Sequence, residues 1–252
     1  MYIYAASSSE LILRLEVSHA VIDGRSADVL LYDLCAAYEN QLPDTKAMPY
    51  TDFVRMEEES FQDVERIAGY WQNYLRDAEE TYLAGVGNKP RAGLHTLQDR
   101  VDIPAEEARR FCDAYGVTLV SVCQVAWSIV LRLFAMKDDV TFSYVNSGRQ
   151  TDLPGIDGAI GLFISSLLLR VKFKDDPTVL DMLKTVTDDV FRGMAHDKVP
   201  LMAKGAKLPT SHKWGNSILS FRKEWKPKST GHKELEMSFL RGVSPTDQDT
   251  NM

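Results

Sequence analysis

Between residues 11 and 19 apolar and polar side chains alternate. Leu11, Leu13, Leu15, Val17 and His19 share one parity; Glu10, Arg14, Glu16 and Ser18 share the other. A period of two predicts a half-buried strand whose apolar, inward face ends in a histidine. Asp23-Gly24 breaks that strand, and Ser26 is expected to N-cap a helix to about Asn40, with Asp28 in its first turn. Pro43 and Pro49 punctuate a loop, and Thr51 or Asp52 opens an acidic helical stretch. Further on, Tyr70-Trp71 and Tyr74-Leu75 place apolar mass at helical spacing. Gly85, Gly87, Pro90 and Gly93 mark a linker.

After the linker, residues 94–103 read as a strand, and Pro104 leads into a helix over 105–115 that Gly116 stops. Residues 118–136 predict a mostly apolar helix, the strongest core element of the chain. A strand over 140–145 follows, then a loop over 146–158, an extended segment over 162–173 and an amphipathic helix over 178–195. Short strands are expected at 216–221 and 234–242. Strands and helices mix without strict alternation, which favours an α/β sandwich of two lobes.

Composition narrows the class. The 252 residues are 44% apolar and 26% charged, enough for one large domain or two small lobes. The formal net charge of −7 has the wrong sign for wrapping a polyanion, so nucleic acid is set aside. Cys35, Cys112 and Cys123 stand far apart without CxxC spacing, which fits a reducing compartment. The apolar stretch 117–136 is interrupted by Ser121, Gln124, Ser128 and Arg132, and 159–171 is too short for a membrane span. The N-terminus lacks a signal-peptide pattern. The protein is read as cytoplasmic, with no membrane partner.

The sharpest chemical signal is Ser18-His19-Ala20-Val21-Ile22-Asp23-Gly24. A histidine at a strand end has the chemistry of a general base near neutral pH. Asp23, four residues on, is better placed to clamp its loop through an arginine than to act as a second catalyst. Gly24 permits a tight turn. By spacing alone, a structural histidine beside an Asp-Gly turn explains these residues equally well. Ser18 and His19 cannot form a nucleophile–base pair, because strand neighbours point to opposite faces. No spacing suggests a metal site. The basic run Arg222, Lys223, Lys226, Lys228 and Lys233 reads as a solvated loop, Trp71 and Trp127 as core. His95, His196, His212 and His232 stand alone.

Several segments together resemble condensation domains of nonribosomal peptide synthetases, in the right order. Residues 18–26, SHAVIDGRS, are similar to the fungal terminal variant of the histidine motif; Tyr70-Trp71 with Tyr74-Leu75 resembles the YW..YL helix. Residues 116–134 resemble the long core helix of the second lobe. DDVTFSYVNSGR (138–149) and GIDGAIGLFISSLLLRV (155–171) resemble the paired SGR and GLFINTLPLR signatures. NSILSFR (216–222) and PTDQD (245–249) resemble two later elements.

The resemblance implies a chloramphenicol-acetyltransferase-like sandwich, here the end of the first lobe (1–85) and most of the second (86–252). It also implies a tunnel between lobes, entered by phosphopantetheine arms of acyl or peptidyl carrier domains, and no directly bound cofactor. His19 would be the catalytic histidine, acting as base or by positioning the nucleophile. Asp23 and Arg149 would support the site structurally, and the Gly24 N–H would lie near the reacting carbonyl. The implied activity is acyl transfer, joining or cyclising carrier-tethered thioesters as amide or ester. Seventeen residues precede the motif and the chain stops soon after PTDQD, so a truncation at both ends is expected. Ser165-Ser166 replaces the usual Asn-Thr, and Leu168 stands where proline is common. The alternatives are a non-catalytic condensation-like remnant or docking module, and a coenzyme A acyltransferase. The last lacks its late DFGWG motif here.

Overall fold

Thr118 and Met136 bracket the longest helix among the described residues. The Thr118 hydroxyl accepts from the Ser121 amide, and Met136 closes the helix in the left-handed conformation. The computed structural model describes residues 2–5, 7, 11–42, 44, 46–59, 64–83, 97–173, 176–197 and 214–222. In chain order its elements are β1 (Tyr2–Ala5), β2 (Leu11–Arg14), α1 (Gly24–Tyr38), α2 (Tyr50–Glu59), α3 (Val64–Tyr74), α4 (Ala105–Tyr115), α5 (Leu119–Ala135), β3 (Asp139–Asn146), β4 (Ser165–Lys172), α6 (Val179–Met194) and β5 (Ile218–Leu219).

Packing divides the chain into two units. One takes 1–60 with 147–165; the other takes 61–146 with 166–223. In the larger, β3 is the central strand of a β4-β3-β5 sheet, and β5 runs parallel to it with Tyr144 opposite Leu219. Helices α5 and α6 pack together, and α5 also packs on β3. Leu131, Val140, Phe142 and Leu169 are wholly enclosed, each contributing about 1.5–3 kcal/mol through burial. A capping box at Thr178 and Asp181 starts α6, and Gly116, left-handed, stops α4. The polar breaks in α5, Ser121, Gln124 and Ser128, lie on its buried face, whereas Leu133 and Phe134 are exposed.

Arg170 on β4 ties this unit together. Its Nε and Nη2 donate to Asp139 on β3, at 2.9 and 2.6 Å, and its Nη1 donates to the Tyr74 and Arg76 carbonyls at the end of α3. Trp71 and Leu75 are buried in the same core. Residues 64–83 therefore pack in the larger unit. Helical spacing marks a buried face without saying what buries it.

In the smaller unit, β1 and β2 form an antiparallel pair with Tyr2 opposite Arg14. Helix α2, a 3-10 turn over Ile156–Gly158 and Phe163 enclose a second core of Phe53, Ile156, Ala159 and Phe163. Two expected strands differ. The strand over 11–19 ends at Arg14, and Leu15 and Val17 are 41% and 46% exposed. Alternation tells which side chains share a face, but a ladder persists only beside a partner, and β1 supplies four residues. Residues 97–103 form no strand, and Leu97 is 99% exposed. The linker at 85–93, the strand at 234–242, PTDQD at 245–249, His95, His212 and His232 lie outside the described residues.

Candidate functional site

Helix α1 begins one turn earlier than expected. Asp23, in extended conformation, is its N-cap: Oδ1 accepts from the Ser26 amide at 2.7 Å. Ser26 is thus the third residue of the helix, and its hydroxyl is freed for other partners. Gly24, the first residue of α1, places its amide at the positive end of the helix dipole.

His19 is exposed in the turn before the cap, where the Val21 amide donates to the Ser18 carbonyl at 3.1 Å and the Ala20 amide to the Ser18 hydroxyl at 3.2 Å. It therefore does not end a strand with an inward-facing side chain. The turn bond at Ser18 follows the point where β2 has lost its ladder.

Asp23 and Arg149 are brought together. Arg149 Nη2 lies 3.6 Å from Asp23 Oδ1, both side chains out of solvent. A bidentate grip does not form. The guanidinium instead donates to Ser26 Oγ at 2.8 Å and to the Ile156 carbonyl at 2.5 Å, and stacks 3.9 Å over the Phe163 ring. Asp23 Oδ2 accepts from the Phe163 amide at 2.9 Å, and the Asp23 amide donates to the Gly161 carbonyl at 3.2 Å. The Ser26 hydroxyl donates to the Gly161 carbonyl at 2.7 Å and accepts from the Gly161 amide at 3.0 Å.

Two glycines make this closeness possible. Gly148, at φ +67, has the Phe163 carbonyl where a Cβ would sit, and a Cβ on Gly161 would enter the Tyr50 ring. Tyr50 donates from its hydroxyl to the Leu162 carbonyl at 2.7 Å and meets Phe163 edge-on at 5.1 Å.

Burial pushes the Asp23 carboxyl up, but the Ser26 and Phe163 amides and the Arg149 charge outweigh it, so Asp23 sits below its ordinary range. Burial lowers Arg149, against the pull of Asp23. A permanent carboxylate fits a clamp better than a proton carrier. Periodicity could not reveal Ser26, Ile156 and Phe163 as members of this cluster, although all three lie in the quoted motifs or beside them.

Other groups have local partners. His196 stacks on Tyr70 at 3.9 Å; its Nδ1 lies 2.8 Å from the Arg192 carbonyl and its Nε2 lies 3.2 Å from Arg66. The three cysteines are free thiols. Among the described residues no cluster of His, Cys, Asp and Glu could hold a metal ion, and no single helix is long and apolar enough to cross a membrane.

The condensation-domain model matches residues 1–249. The chain is 34% identical over 98% of its length to FR901469 synthetase of Dothideomycetidae sp. (strain 11243). It is 33% identical over 98% of its length to nonribosomal peptide synthetase cm3A of Cordyceps militaris. It spans 2% and 5% of those two relatives. In fold it is similar to the first condensation domain of the CDA synthetase, with a TM-score of 0.62 at 20% identity, covering 82% of this chain and 48% of that one. That likeness carries the chloramphenicol-acetyltransferase-like α/β fold expected above. By sequence and by fold, this chain belongs to the condensation-domain family.

Proposed function

We propose that the protein carrying this chain joins or cyclises acyl or peptidyl thioesters held on phosphopantetheine arms of carrier domains, with His19 as the catalytic histidine. One observation carries the reading. Asp23 of the histidine motif, Arg149 of the SGR segment and Phe163 of the GLFISS segment, 140 residues apart at the extremes, are drawn into one buried clamp that starts four residues after His19. In the reaction, an acceptor amine or hydroxyl attacks the thioester carbonyl, a C–N or C–O bond forms and the C–S bond breaks. His19 takes the nucleophile's proton or holds the nucleophile in line, and the proton ends on the departing thiol. The Gly24 N–H, at the start of α1, faces the charge that develops on the carbonyl oxygen.

The fungal sources of the named relatives and the serine in SHAVIDGRS support a terminal domain that releases a cyclised product. We assign the end of one lobe and most of the other to this chain, and place the protein in the cytoplasm with its thiols reduced. Intact-mass analysis of loaded carriers tests the reading. Loss of the donor acyl group from its arm, with product carrying the acceptor or closed on itself, is the expected result. Donor that leaves its arm only at the rate of spontaneous hydrolysis would favour a non-catalytic docking module instead.

A further inference from the structure

We infer that Ser26 is a positioning residue of this site, and that its hydroxyl rather than a direct Asp23–Arg149 hydrogen bond locks the histidine-bearing turn to the Gly161–Phe163 segment. The inference deepens the proposed role of His19 and rests on it for its catalytic part.

Ser26 is wholly enclosed. A hydroxyl has one proton and two lone pairs, and here all three are used. The proton goes to the Gly161 carbonyl at 2.7 Å; the lone pairs receive the Gly161 amide at 3.0 Å and Arg149 Nη2 at 2.8 Å. The Ser26 backbone amide meanwhile binds Asp23 Oδ1. One residue therefore joins the turn, the SGR arginine and the Gly161 strand entry. Arg149 reaches Asp23 at 3.6 Å as a charge, without sharing a short hydrogen bond with it. With the hydroxyl removed, the Gly161 amide loses its acceptor, the Gly161 carbonyl keeps only the Asp23 amide, and Arg149 loses its nearest side-chain acceptor, in a space closed to water. The turn carrying His19 is then anchored only through Asp23.

The test uses the whole protein that carries this chain, with donor and acceptor loaded on their carriers. Ser26→Ala removes the hydroxyl, and Ser26→Cys keeps the volume while weakening the hydrogen bonds. Per folded molecule, both should lower kcat about 10- to 100-fold with KM within about twofold, as expected when groups are misplaced but binding surfaces are kept. Hydrogen exchange at the Gly161 and Phe163 amides should quicken about tenfold or more in both variants, while Leu169 in β4 stays as in the wild type. Wild-type exchange at Gly161 and Phe163, or a kcat per folded molecule equal to wild type, would overturn the inference. His19→Ala separates the two ideas: full turnover in that variant defeats the reading of His19, and exchange in the Ser26 variants still decides whether Ser26 holds the turn.

Discussion

Arg149 stands 3.6 Å from Asp23, with 6% and 0% of their side chains exposed. The pair is thus one of charge rather than of shared protons. Asp23 commits its oxygens to the Ser26 and Phe163 amides, and Arg149 directs its protons to Ser26 and Ile156. Each partner satisfies backbone groups, and the opposite charge keeps both ions tolerable away from water.

Breaking the pair should therefore be costly. Replacing Arg149 with methionine leaves a buried carboxylate uncompensated and should cost about 3–5 kcal/mol. Asp23→Asn should destabilise as well, because one oxygen that accepts an amide proton becomes a donor. Urea unfolding of each variant measures this. A loss under about 1 kcal/mol, the level of an exposed pair, would mean that the clamp is open in solution.

The same pair sets an acid dependence. Asp23 sits below its unfolded value, so its contribution is fully present above the unfolded carboxylate range, about pH 4. That contribution fades as pH falls through the depressed folded value. The stability gap between wild type and Asp23→Asn should be constant from pH 7 to about pH 5 and narrow below about pH 4. A gap that widens on acidification would reverse the sign of the argument.

Two glycines with similar φ separate strain from crowding. Gly116 has φ +64 and open space around it; Gly148 has φ +67 and the Phe163 carbonyl in the way. Gly116→Ala should cost about 1–2 kcal/mol, the penalty for a left-handed alanine. Gly148→Ala should cost more, because backbone must also move. Equal losses in denaturant titrations would show that the Gly148–Phe163 approach is not tight.

Much of this was legible in the chain. The ranges expected at 105–115, 118–136 and 178–195 match α4, α5 and α6 together with their capping residues, because helix ends are set by local signals such as Pro104 and Gly116 that need no knowledge of the partner. What depends on partners was hidden. The parity of Leu11 through His19 was plain, yet β2 stops at Arg14 because the ladder stops there. The Arg170–Asp139 clamp was equally invisible, since nothing local links residues 31 apart on neighbouring strands. At the site, the family resemblance put Asp23 and Arg149 together as supports, but only geometry shows Ser26 between them.

The most direct measurement is the turnover of the His19→Ala variant in the whole protein, with donor loaded on its carrier and product followed by mass spectrometry. The account predicts that the donor stays on its arm, with transfer reduced at least about 100-fold. Folding and the amide protection of Phe163 should be unchanged, because His19 lies in the exposed turn and outside the clamp. Transfer at the wild-type rate by a properly folded His19→Ala protein would contradict it.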